Sequence, residues 1–232
     1  MNNLEKNFFL IIRPNYFSFN IVSKDYELLY EKEIFYDELN LINNLYQIKK
    51  FLNENIFKIE KKFNLYIENI YLIIEDKNFV KTDVSLIKEF NYFSSDFDNI
   101  LGDLSMIKES VLKSNDDFQL VHMIINKFII DKKDYYELPD QIDEKNFFLE
   151  IRLICLEKKR LINLKKLLSE YQISIHKILN YDYVDTFKKG DLDHISVLAS
   201  KLLRGLNKNE INFKEKYSKN IGFFEKFFKF FG

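Results

Sequence analysis

The apolar positions along this chain switch repeatedly between strand-like and helical spacing. Phe8-Phe9-Leu10-Ile11-Ile12 is a dense run closed by Arg13 and Pro14, so residues 8–13 predict a buried strand. Phe17, Phe19 and Ile21 alternate with Ser18 and Asn20 and predict a second strand. Leu28 to Glu33 predicts a third, after a turn at Lys24-Asp25. The period then changes. Over 38–62, Leu39, Ile42, Leu45, Tyr46, Ile48, Phe51, Leu52, Ile56, Phe57 and Ile59 recur at helical spacing, with Phe63 just beyond. They predict one long amphipathic helix with a Lys/Glu outer face. Ile70-Tyr71-Leu72-Ile73-Ile74 restores a core-strand pattern, so the opening reads β-β-β-α-β.

A second unit follows. Thr82 to Phe90 predicts a strand. Ser95-Asp96 offers an N-cap for a helix through Lys113, with Phe97, Ile100, Leu101, Leu104, Ile107 and Val111 on one side. Phe118 to Ile125, continued by Lys127 to Asp131, predicts a strand that turns at Lys132-Lys133-Asp134, with a return over Tyr135 to Leu138. Phe147 to Leu156 alternates and predicts a long strand. Residues 158–171 predict a helix with Leu161, Leu164, Leu167 and Leu168 inward, and Ile173 to Leu179 a closing strand. Asp193 to Leu206 predicts a helix whose end is weakened by Gly205. The expected organisation is 1–81, the first part of one subdomain; 82–172, a small inserted α+β domain; 173–206, the return; 207–220, a flexible linker; and 221–232, an amphipathic helix.

The last twelve residues carry the strongest functional pattern. On a helix of about 100° per residue, Ile221, Phe223, Phe224, Phe227, Phe228, Phe230 and Phe231 share one side. Glu225, Lys226 and Lys229 take the other. Five lysines against two glutamates give residues 214–232 a local charge of +3. An aromatic face flanked by lysines, behind a polar tether, fits a helix lying in a membrane interface. Each buried Phe contributes at most about 1.5–3 kcal/mol, and less at an interface. Each lysine near anionic lipid adds on the order of 1 kcal/mol. The expected membrane-binding residues are therefore Ile221, Phe223, Phe224, Lys226, Phe227, Phe228, Lys229, Phe230 and Phe231. Docking of this helix on the body or in a partner groove is the rival expectation.

Composition narrows the chemistry. The chain of 232 residues holds 35 basic and 36 acidic side chains, so no net positive charge points to nucleic acid. Only five glycines are present, and no two form a phosphate-cradling motif, which argues against a dinucleotide or P-loop site. The single cysteine, Cys155, lies in an apolar strand and reads as an inert thiol. His122, His176 and His194 are dispersed and match no metal-ligand spacing with it. Asp96, Asp98 and Asp103, the pair Asp182 and Asp185, and the cluster Lys158-Lys159-Arg160 read as solvated faces. No Ser-His-Asp order or nucleophile elbow occurs. No catalytic, cofactor-binding or metal residue is expected. Neither is a signal peptide or a transmembrane segment, so the body is expected to be cytoplasmic.

The order of segments resembles FtsA, the actin-like family of bacterial cell-division proteins. His122-Met123-Ile124-Ile125 is similar to the family's His-Val-Ile-Pro segment, Leu138-Pro139-Asp140 stands at its Pro-containing loop, and Phe148-Leu149-Glu150-Ile151 is similar to its Leu-Glu-Val strand. Asn163-Leu164-Lys165 through Ile175, and the final helix, follow the family's order too. The resemblance implies an α/β to α+β fold: a partial actin-like (ribonuclease-H-like) subdomain with a small inserted α+β domain and a C-terminal membrane anchor. It also implies a peripheral location on the cytoplasmic face of the inner membrane. Its implied partners are anionic lipid, other division proteins, and further copies of the chain. The family's ATP site does not carry over. Arg13-Pro14-Asn15-Tyr16 lacks the small glycine turn of the first phosphate loop, and the second loop has no counterpart. The family's surface for FtsZ belongs to a part without a counterpart here. The implied function is a non-enzymatic scaffold of the divisome. A divergent ATP-binding actin-like protein and a platform of a pilus or secretion assembly are the alternatives.

Overall fold

Strands and helices form where the spacing of apolar residues changes. The computed structural model describes residues 6–36, 45–89, 97–114, 116–130, 132–137, 146–190 and 192–211. Along these the order is β1 (Lys6–Ile12), β2 (Tyr16–Ser23), β3 (Leu28–Phe35), α1 (Tyr46–Phe63), β4 (Asn69–Ile74), β5 (Val80–Glu89), α2 (Phe97–Ser114), β6 (Phe118–Ile130), β7 (Lys133–Tyr135), β8 (Asn146–Glu157), α3 (Lys159–Ser169), β9 (Ser174–Asn180), α4 (Tyr181–Asp185) and α5 (Ile195–Leu203). The expected helix over 38–62 is helical from Tyr46; its first residues lie outside the described ones.

Five strands build a mixed sheet in the order β3-β2-β1-β4-β9. β1, β2 and β3 pair antiparallel, whereas β4 and β9 run parallel to β1. The alternation of β2 sets its two faces. Phe17 and Phe19 both meet Phe51 of α1, with ring centroids 5.7 Å apart in each case. On the other face Asn20 approaches His194 at the start of α5, and Asn7 of β1 donates to Ser200 at 2.8 Å. Helices thus cover both sides, and β2 is buried almost throughout, as a doubly covered strand should be.

The chain leaves this sheet after β4 and builds a second, fully antiparallel one in the order β5-β8-β6-β7. Leu104, Ile107 and Val111 of α2 pack against Met123, Leu149, Ile151, Leu153 and Cys155 on one face. On the other face Val121, Ile124, Ile154 and Leu156 join the core of the first sheet. Farther along, that face carries the two-pronged pair of Arg152 with Asp83, both contacts 2.8 Å.

Two expectations about boundaries change. The expected small unit, 82–172, includes residues 158–171, but Leu161, Leu164, Leu167 and Leu168 of α3 are buried in the core of the five-stranded sheet. Tyr171 then donates to Asn53 of α1 at 2.6 Å. The linker expected from 207 is seated through Ile211: Ile211 N–H donates to Met123 C=O at 2.8 Å, and Ile125 N–H to Asn209 C=O at 3.0 Å. Residues 209–211 thereby add a short antiparallel bridge to β6. The remaining linker residues and the expected helix 221–232 lie outside the described residues.

Candidate functional site

The seat of residues 207–211 begins with an irregularity in β6. Its register against β8 shifts between Leu120 and His122. Strict alternation would turn Val121 and His122 to opposite faces; the bulge lets both face the joint between the sheets before Met123 returns to the α2 side. His122 is buried there, and its Nε2 accepts the backbone N–H of Asn180 at 3.0 Å. Nδ1 must then carry the proton, which it donates to Glu210 Oε1 at 2.9 Å. Tyr183 donates its hydroxyl to Glu210 Oε2 at 2.9 Å and accepts from Asn207 at 2.9 Å. Lys177 Nζ stands 3.4 Å from Oε1.

The electrostatics follow from burial and these bonds. Burial lowers the His122 pKa and outweighs the pull of the Glu210 charge in the other direction. Geometry agrees, because a second ring proton would face the Asn180 N–H. Burial alone would raise the Glu210 carboxyl; the His122 and Tyr183 hydrogen bonds and the nearby Lys177 charge more than reverse this, and its pKa falls. The carboxylate has at most 3% of its side chain exposed, so its charge is stabilised by these partners rather than by water. Asn180 completes the joint. Its side chain caps α4 by accepting Tyr183 N–H at 2.9 Å. One cluster therefore ties β6, β9, α4 and the segment leading to the C-terminal tail.

A second grouping lies at the carboxyl ends of the parallel strands, the edge at which open α/β sheets bind ligands. The residue following each of the three strands converges there: Arg13 after β1, Glu75 after β4 and Tyr181 after β9. Arg13 pairs with Glu75. Its guanidinium lies 4.4 Å from the Tyr181 ring centroid and 5.2 Å from that of Tyr16. Tyr36 donates its hydroxyl to the Arg13 carbonyl. Partial burial works against the Arg13 charge, but hydrogen bonds with Tyr16 and Glu75 raise its pKa overall. A basic side chain with its own carboxylate thus fills the place of the glycine turn missing at Arg13-Pro14-Asn15-Tyr16.

The other residues weighed in the sequence stand apart. Cys155 is buried against the α2-side core, and burial pushes its thiol up. His176 stands edge-on to Tyr71 on the exposed part of β9. His194 caps α5 and contacts Glu31 at 2.7 Å. Lys158, Lys159 and Arg160 meet Asp116, Glu157 and Asp76 respectively. Asp182 lies 3.8 Å from Lys81. Asp96, and the membrane-binding set Ile221, Phe223, Phe224, Lys226, Phe227, Phe228, Lys229, Phe230 and Phe231, fall outside the described residues. Among the described residues no cluster of three metal-ligating side chains occurs, and no helix is long and apolar enough to cross a membrane.

The composition around His122 gave no sign of its partner. Glu210 sits in a polar stretch without period, and the bulge that aims His122 is invisible to an alternation count.

No family model matches this chain, and no curated protein does. Solved structures do resemble it. A structure described as the PilM-PilN type IV pilus biogenesis complex shares 7% identity over 78% of this chain and 49% of its own, with a TM-score of 0.49. The cytoplasmic domain of EpsL, described as an inner membrane component of the type II secretion system of Vibrio cholerae, shares 9% over 81% of this chain and 61% of its own, with a TM-score of 0.36. A Bacteroides thetaiotaomicron protein described as having an actin-like ATPase fold shares 16% over 81% and 58%, with a TM-score of 0.32. The chain spans about half to three fifths of the length of these proteins. At these identities and TM-scores the likeness transfers no activity, substrate or partner. The mixed sheet β3-β2-β1-β4-β9, with its three antiparallel and two further parallel strands, agrees on its own terms with a partial actin-like fold.

Proposed function

We propose that this protein is a non-enzymatic, membrane-peripheral scaffold with a partial actin-like fold. Its folded body meets protein partners and residues 221–232 bind anionic lipid at the cytoplasmic face of the inner membrane. The observation that supports this most directly is the seat of residues 207–211. A buried, fully hydrogen-bonded carboxylate fixes the chain at Ile211, and in sequence the polar stretch and the Phe-rich amphipathic pattern follow at once. A body that fixes the chain at Ile211 sends the polar tether and the lipid-binding segment out from one defined point on its surface. Single-helix insertion is marginal, and self-association would strengthen it. Flotation of the intact protein with anionic liposomes tests the anchor.

The machinery served is part of the same proposal. The segment order similar to FtsA points to cell division. A platform for a pilus or secretion assembly is the second reading, and two of the resembling structures are described in those terms. Affinity capture of the tagged protein from its own cells separates them, by recovery of division proteins or of pilus and secretion components.

A nucleotide-driven activity is the competing class. The Arg13–Glu75 pair and the Tyr16 and Tyr181 rings occupy the strand ends at which a phosphate would approach. Calorimetric titration with Mg-ATP should therefore give no saturable heat; tight stoichiometric binding would overturn the scaffold reading in favour of a divergent ATPase.

A further inference from the structure

β5 ends the four-stranded sheet. It pairs with β8 along all ten residues and, among the described residues, with nothing on its other side. An open edge of that length is a template for another strand, and proteins guard such edges with proline, bulges or short strands. β5 has no proline, and its pairing with β8 shows no register shift; its guards are the charges of Lys81, Asp83, Lys88 and Glu89, which a partner strand has to match. Beside it a shallow cavity of about 370 Å³ runs between the strand and α2, lined by Val84, Leu86, Met106, Ile107 and Val111, with Asp103 and Ser110 of α2 also on its wall. Met106 is 68% exposed, so the apolar lining reaches the surface.

We propose that this edge is the interface with a second copy of the chain, two β5 strands pairing antiparallel about a two-fold axis at Ser85. The choice of partner comes from the strand's own register. A two-fold axis normal to the sheet pairs positions whose numbers have a constant sum, and side chains keep their face only when that sum is even. Centring on Asp83 sets that acid against itself. Centring on Val84 joins no opposite charges, and centring on Leu86 sets Asp83 against Glu89. Centring on Thr82 matches Lys81 with Asp83 but pairs only residues 80–84. Centring on Ser85 pairs residues 81–89. It sets Lys81 opposite Glu89, Val84 opposite Leu86, and a small hydroxyl opposite its own copy. This is the longest register that joins opposite charges and apolar side chains while opposing no like charges. The two sheets then become one of eight strands, with both α2 helices on one face and each Met106 beside the new Val84–Leu86 contacts.

Sedimentation velocity of the full chain should show a dimer that dissociates on dilution. Ser85 is exposed, so Ser85→Lys leaves the fold intact by circular dichroism. It places two ammonium groups face to face and should raise the dimer dissociation constant on the order of tenfold or more. Ser85→Cys should cross-link two copies on mild oxidation, and Thr82→Cys should not; Cys155 is buried and does not compete. A wild-type chain that stays monomeric at every accessible concentration overturns the proposal. So does a dimer indifferent to Ser85→Lys, which would use another surface. Cross-linking through Thr82→Cys in place of Ser85→Cys overturns the register.

Discussion

At the scale of single residues, Glu210 holds the joint together. Its carboxylate accepts from His122 and Tyr183 and stands beside Lys177, all within the joint of the two sheets. Glu210→Ala strands a buried ring N–H and a buried hydroxyl, and should cost about 2–3 kcal/mol in a urea titration. The pH response has a defined sign. The His122 pKa lies below its ordinary 6.5 when folded, so the unfolded chain takes up the proton first. Stability is fully present above that value and is lost as the pH falls below it. Glu210 is also lowered, from an ordinary 4.5, and its contribution goes in a second, more acidic window. Thermal midpoints across a buffer series should therefore be level above pH 6.5 and decline in two stages on acidification. A rise in stability between pH 6.5 and 5 would contradict the neutral-His arrangement. The place of His122 in a strand is readable from the apolar pattern of Phe118 to Ile125. Its partner was not readable, because the contact spans 88 positions and depends on a bulge.

At the scale of elements, the local chemistry of each segment explains most boundaries. α5 ends as its sequence allows only because Gly205 adopts φ +90°. Leu206 N–H then reaches Lys201 C=O at 3.0 Å, and Gly205 N–H reaches Leu202 C=O at 2.9 Å, closing the helix end with two hydrogen bonds. No atom crowds the place of a Cβ there, so the cost of Gly205→Ala is conformational alone. It should be about 1 kcal/mol, read as a shift in urea midpoint without a change in slope. The glycine that weakens the helix is also what turns the chain toward the seat at Asn207. Strands with dense apolar runs, such as Ile70–Ile74, stood out from sequence because parallel central strands bury both faces. The assignment of α3 went astray for the reason that its leucine stripe shows only that a core exists, not which one. That is decided by the return of β9 beside β4, a pairing between residues more than 100 positions apart.

At the scale of the molecule, the fold places two sheets around one joint and seats residues 207–211 in it. The β-β-β-α-β opening and the α+β unit after it follow from periodicity, and the mixed order of the first sheet agrees with the actin-like expectation. The convergence of Arg13, Glu75 and Tyr181 at the parallel strand ends shows in the sequence only as a missing glycine. The Tyr181 ring that completes it comes from 168 positions away, and no local pattern links it to Arg13. A body of this kind gives the segment beyond Ile211 a fixed starting point. The claim on which the function stands is that residues 221–232 hold the protein to lipid. Flotation on a sucrose gradient with anionic vesicles, comparing the intact chain with one ending at Asn220, measures it directly. The intact protein should rise with the vesicles and lose most of that binding in high salt or on truncation; equal flotation of both forms would contradict the account.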